Sequence, residues 1–128
     1  MDMNFVYVIS CSLSDEKKLA KAIEVAFERK LSLSKNASLL EGHKPQILDH
    51  IWFNLRKADG LYIELRHNRD IEGRLELPDH ADYPLILFTR INETYATANG
   101  ADPIEVRDYV FSCVKNLPYN AVLVGNAE

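Results

Sequence analysis

The run Trp52-Phe53-Asn54-Leu55-Arg56-Lys57-Ala58-Asp59-Gly60-Leu61-Tyr62-Ile63-Glu64-Leu65-Arg66 decides how the rest of the chain is read. Two templates compete for its first half. Ile47, Leu48, Ile51, Trp52 and Leu55 recur at helical spacing, with Pro45 at a helix start and Gly60 beyond the end. The rival is a hairpin that reverses at Ala58-Asp59-Gly60, a type I turn with glycine at the left-handed position of a G1 bulge. That turn sets Leu55 opposite Ile63, Phe53 opposite Leu65, Arg56 opposite Tyr62, Asn54 opposite Glu64 and Trp52 opposite Arg66. On this register one face is apolar and the other polar in both strands at once. The hairpin is preferred, and it predicts Trp52 and Tyr62 side by side on a face turned to water.

Outward from the hairpin, the periodicity changes several times. Residues 4–12 are β-branched and aromatic, and their near-continuous apolar character predicts a central strand. Ser14 is a candidate N-cap for an amphipathic helix over 14–31, with Leu19, Ile23, Ala26, Phe27 and Leu31 on its apolar side. Residues 32–44 are polar and read as a long connection. Residues 71–77 alternate and predict a strand with Ile71, Gly73, Leu75 and Leu77 inward, and Glu72, Arg74 and Glu76 outward. Residues 78–83 form a turn-rich loop, and 85–94 another strand. Asn99-Gly100 marks a turn. Asp102-Pro103-Ile104-Glu105 has the order of a helix start, and Val106, Val110, Cys113, Val114 and Leu117 give the buried stripe that follows. Residues 121–124 make a last strand. The predicted order is β-α-β-β-β-β-α-β. It describes an α+β two-layer sandwich, a mostly antiparallel sheet with two helices on one face. In outline it resembles a ferredoxin-like fold enlarged by an extra hairpin, which by itself implies no activity.

Composition limits the function. The chain has 128 residues, 47% hydrophobic and 27% charged, which predicts one domain over 1–128 with its own core. Fifteen Lys and Arg against 19 Asp and Glu leave a net charge of −4. That balance opposes broad nucleic-acid or membrane-surface binding. No apolar run approaches the ~20 residues of a membrane span. The apolar start at 5–9 is short and follows Asp2 rather than basic residues, so no secretory signal is expected. Val8-Ile9-Ser10-Cys11 is not read as a lipoprotein box because it lies too close to the N-terminus for a signal peptide in front of it. A cytoplasmic protein with Cys11 and Cys113 reduced is expected.

Three groups carry possible chemistry. Cys11 stands between a strand and a helix start, where a thiol pKa can fall, but no second cysteine completes a redox pair and Lys17 stands where a phosphatase loop needs Arg. His67, Asp79, His80 and Asp82 could bind a divalent metal or act as acid and base, although their spacing matches no metal site. His43 and His50 add nothing specific. Phosphate-loop, nucleophile-elbow and zinc-helix motifs do not occur. No metal or cofactor is expected. The third group is the outer hairpin face: Trp52, Asn54 and Arg56, then Tyr62, Glu64 and Arg66, then Glu72, Arg74 and Glu76. Trp, Tyr and Arg dominate many protein interfaces, and carboxylates among them suit a protein partner. The expectation is a small non-enzymatic binding protein, a bacterial immunity or inhibitor protein that occludes a toxin, with a basic toxin domain as partner. The alternatives are a single-stranded nucleic-acid binder, whose exposed aromatics would stack bases, and a thiol enzyme using Cys11.

Overall fold

In chain order the elements are β1 (Asp2–Ile9), α1 (Glu16–Phe27), β2 (Ser32–Ser34), β3 (Ile51–Arg56), β4 (Leu61–His67), β5 (Leu85–Asn92), α2 (Glu93–Ala98), α3 (Pro103–Lys115) and β6 (Ala121–Gly125). They are taken from a computed structural model, which describes residues 2–34, 51–69 and 74–125. The strands form one antiparallel sheet in the order β2-β3-β4-β5-β1-β6. The fold is α+β. Strands β4, β5, β1 and β6 with α1 and α3 follow the ferredoxin-like order, and β2 and β3 extend the sheet beyond β4.

Alternation along the central strands divides the core. Phe5, Tyr7 and Ile9 of β1 join Leu61, Ile63 and Leu65 of β4 and Leu85, Leu87 and Ile91 of β5 on the helix side. There they meet Leu19, Ile23 and Phe27 of α1 and Val106, Val110, Cys113 and Val114 of α3. The other face holds a smaller cluster, Val6, Ile86 and Phe88, against which Tyr62, Leu77 and Val124 pack. Phe5 through Ile9 are all buried, as a central strand requires. The start of α3 follows its sequence pattern: Asp102 Oδ1 accepts the Ile104 N–H at 2.9 Å, with Pro103 in the first turn.

Four expectations are corrected. Residues 74–77 are irregular rather than a strand, and 70–73 lie outside the described residues. The sixth strand is instead Ser32–Ser34, which pairs with β3 inside the segment read as a polar connection. A three-residue strand held by backbone pairing leaves no hydrophobic period to find. A short helix, α2, follows β5 directly because the Asn92 side chain caps it, accepting the Tyr95 N–H at 2.9 Å. Residues Leu13–Asp15 form a 3₁₀ turn, so α1 begins at Glu16 and Ser14 is not its cap.

The fourth correction is the hairpin register. The chain does reverse at Asp59-Gly60, but the loop holds four residues, 57–60, and Arg56 pairs with Leu61. Trp52 therefore lies opposite Leu65, Phe53 opposite Glu64, Asn54 opposite Ile63 and Leu55 opposite Tyr62. One added loop residue turns every β3 side chain to the other face. The loop is held at Gly60. Its φ is +70°, its N–H donates to the Lys57 carbonyl at 3.3 Å, and its own carbonyl accepts the Asn92 N–H at 2.9 Å. A Cβ at residue 60 would stand 2.4 Å from the Asn92 carbonyl oxygen.

Gly60→Ala combines backbone strain with this clash, so it should destabilise the fold by at least about 2 kcal/mol. Urea unfolding checks this, and a loss below about 0.5 kcal/mol would show that the loop and β5 are not in contact.

Candidate functional site

On β4 the helix-facing residues are Leu61, Ile63 and Leu65, which sends Tyr62, Glu64 and Arg66 to the opposite face. Arg66 organises that face. Its Nη1 donates to Glu64 Oε2 at 2.6 Å, its Nε to Glu76 Oε1 at 3.1 Å, and its Nη2 to Glu76 Oε2. The Tyr62 hydroxyl donates to the second oxygen of Glu64. The Arg66 guanidinium also lies over the Phe88 ring at 5.2 Å, and Arg90 covers the same ring at 5.3 Å. The Arg90 Nε donates to Asn4 Oδ1 at 3.2 Å. Burial opposes charge on Arg66, but the Glu64 and Glu76 carboxylates outweigh it and raise its pKa. Burial, then the adjacent Glu64 charge, raises the Tyr62 pKa, so the phenol remains a donor. Beside this lattice, Leu55 stands opposite Tyr62 and is 49% exposed.

Four residues of the predicted partner face, Tyr62, Glu64, Arg66 and Glu76, are thus brought together. Glu76 arrives from the irregular segment after β4. That segment is tied down by Asn68, whose side chain donates to the carbonyls of His80 and Tyr83 and accepts the Leu77 N–H at 2.8 Å. Arg74 is exposed, and Glu72 lies outside the described residues. Trp52 and Arg56 are on the wrong side for that face. Because of the shifted register, both point toward the helix layer, and Trp52 is half-buried against the main core.

There the Trp52 indole N–H donates to Glu16 Oε2 at 2.7 Å, while His67 Nε2 is joined to Glu16 Oε1 at 2.7 Å. A carboxylate at the first residue of α1 so links that helix to β3 and β4. The sequence signal at Glu16 was only an acidic residue in a first helical turn.

Arg56 belongs to a second polar tie, centred on Asp59. Asp59 Oδ2 accepts from Arg56 Nη2 at 2.7 Å and from Arg29 Nη2 at 3.1 Å, and Oδ1 accepts the Leu61 N–H at 3.1 Å. Arg29 is buried and also donates to Asn54 Oδ1 at 3.3 Å. It reaches this position because α1 ends at Glu28 in a left-handed conformation, φ +53°, which turns the chain back. Burial opposes charge on Asp59. The Arg56 hydrogen bond, the Leu61 amide and the two guanidinium charges outweigh it and hold the carboxyl below its usual range.

The other candidates are not assembled. His67 is engaged by Glu16, while Asp79 and His80 lie on a separate 3₁₀ turn where His80 packs against Tyr83. Among the described residues no group of three or more His, Cys, Asp or Glu could hold a metal ion. His43 and His50 lie outside the described residues. Cys11 is buried, its Sγ directed at the Ser12 and Asp15 carbonyls, and burial followed by the Asp15 charge raises its pKa. That environment favours the thiol over the reactive thiolate.

Comparison of the chain with protein-family models, with curated proteins and with solved structures finds no match.

The lowered Asp59 pKa has a pH consequence. Its stabilisation is fully present above the unfolded carboxyl pKa, about 3.9, and is lost as pH falls through the lower folded value. Asp59→Asn should therefore reduce stability at pH 7 and flatten the loss of stability below about pH 4. Denaturant titrations of both proteins from pH 7 to pH 2.5 measure this. Parallel curves would mean that Asp59 carries no differential charge.

Proposed function

We propose that the chain is a small non-enzymatic protein-binding protein, an immunity or inhibitor protein of the bacterial cytoplasm that neutralises a toxin by covering its active site or substrate surface. The observation that carries this proposal is the ordered Tyr62–Glu64–Arg66–Glu76 lattice with half-exposed Leu55 at its border. Side chains already held in one geometry lose little entropy when a partner docks. Tyr and Arg are also the types that concentrate binding energy at interfaces. Arg90, exposed and lying over Phe88, continues the patch beyond the lattice.

The attraction to a basic partner has a different source from the one expected. Glu64 and Glu76 both face Arg66 within the chain, so they are not open charges for a toxin to meet. Steering then rests on the net charge of −4, which speeds encounter at low salt. Base stacking is less well supported, since the aromatic at the centre of this face, Phe88, is buried beneath two guanidinium groups. Thiol chemistry is disfavoured by the raised pKa of Cys11.

The test begins by capturing the partner on the full chain, identifying it by mass spectrometry and titrating it in purified form. Leu55→Asp and Arg90→Glu, both at exposed positions, should each weaken binding at least tenfold, about 1.4 kcal/mol, and Leu55→Asp should leave the melting temperature in place. Association should slow as salt rises. A purified partner that binds both variants as tightly as the parent chain would place the interface elsewhere.

A further inference from the structure

We infer that the outer edge of β6 is a strand-addition site for an extended, acidic peptide segment of a partner protein. This site is separate from the Tyr62–Arg66 face and stands whether or not that face binds. β6 closes the sheet next to β1, and no described strand pairs with its other edge. Such an edge presents a row of backbone N–H and C=O groups, for which the complementary ligand is another extended backbone. Natural edges are usually guarded by a charge or a proline, yet Ala121-Val122-Leu123-Val124-Gly125 contains neither. A bulge falls where Val6 and Tyr7 meet β6, which confines the regular stretch to Ala121, Val122 and Leu123 opposite Ile9, Val8 and Tyr7. Val122 and Leu123 are 39% and 46% exposed.

Beside this edge, on the helix side, lies a groove of about 420 Å³ between β6 and α3. Ala121 and Leu123 form one wall and Phe111 and Val114 the other, with Tyr7 and Tyr119 completing the apolar lining. Alternate side chains of an added strand would lie over this side of the sheet, next to Leu123. Tyr7 supplies an independent observation. It is 4% exposed, and its hydroxyl has no hydrogen-bond partner among the described residues. A hydroxyl kept in a core without a partner costs stability, and a polar ligand group reaching it would recover that loss. Among the described residues lining the groove, Lys115 is the only charged one, and it is exposed. Charge complementarity therefore selects an acidic peptide over a basic one. It also disfavours a second copy of β6, which has no carboxylate in its Ala121–Gly125 span.

Random heptapeptides displayed on phage and selected on the immobilised full chain provide the probe, and enriched sequences are then synthesised and titrated against ¹⁵N-labelled protein. The expected peptides alternate apolar and polar residues, carry Asp or Glu, and shift the amides of β6 and of the C-terminal half of α3. Lys115→Glu should weaken them at least fivefold. Leu123→Lys or Val122→Lys, each at an exposed position, should abolish binding. Tyr7→Phe should weaken binding while the melting temperature stays level or rises. Three results would each overturn the inference: no sequence enriched on the parent chain over the Leu123→Lys chain, amide shifts confined to other elements, or a dimer of the parent chain that Leu123→Lys converts to monomer.

Discussion

The carbonyl of Asn92 leaves no room for a side chain at residue 60, and much else in the molecule depends on that contact. It holds the β3–β4 loop against the end of β5 and the start of α2. With the loop closed over four residues, Arg56 meets Leu61 and the whole of β3 falls into a single register. That register turns Trp52 toward Glu16 and Asn54 toward Arg29, and it sends Leu55 to the face of Tyr62. A loop shorter by one residue would exchange the two faces of β3. It would break both polar ties to α1 and leave the indole on the other side of the sheet.

The two sides of the sheet consequently differ in kind. On the helix side, polar groups serve as ties: Glu16 at the start of α1 holds β3 and β4, and Arg29 just past its end holds the β3–β4 loop. Buried charges of this sort are costly unless paired, and both ends of one helix pair theirs on the same hairpin. On the other side, Arg66 and Arg90 roof a small apolar cluster, and their charges are met by Glu64, Glu76, Asn4 and Asp2. This roof is ordered without being an extension of the main core, as a preformed docking surface requires.

Much of the fold was legible in the sequence because hydrophobic period carries it. β1, β4, β5, α1 and α3 each bury a stripe that the spacing of Val, Leu, Ile and Phe announces. The hairpin itself was legible from Asp59-Gly60. Its register was not, because a three-residue and a four-residue loop share the same turn residues and both leave β4 with an apolar face. β3 is ambiguous in its own right: Trp52 and Leu55, one on each face, are both large and apolar. β2 carried no signal, as Ser32 and Ser34 are held by backbone pairing to β3. Of the predicted partner face, the part on β4 was readable from alternation, whereas the meeting of Arg66 with Glu76 depends on a chain path organised by Asn68, which local patterns do not encode.

The chain has a single tryptophan, so its indole N–H gives one resolved proton signal from which the register can be measured. Nuclear Overhauser contacts from that indole should run to Leu65 across the ladder and to the first turn of α1 around Glu16. Contacts from the indole to the ring protons of Tyr62, with none to α1, would contradict the account at its foundation.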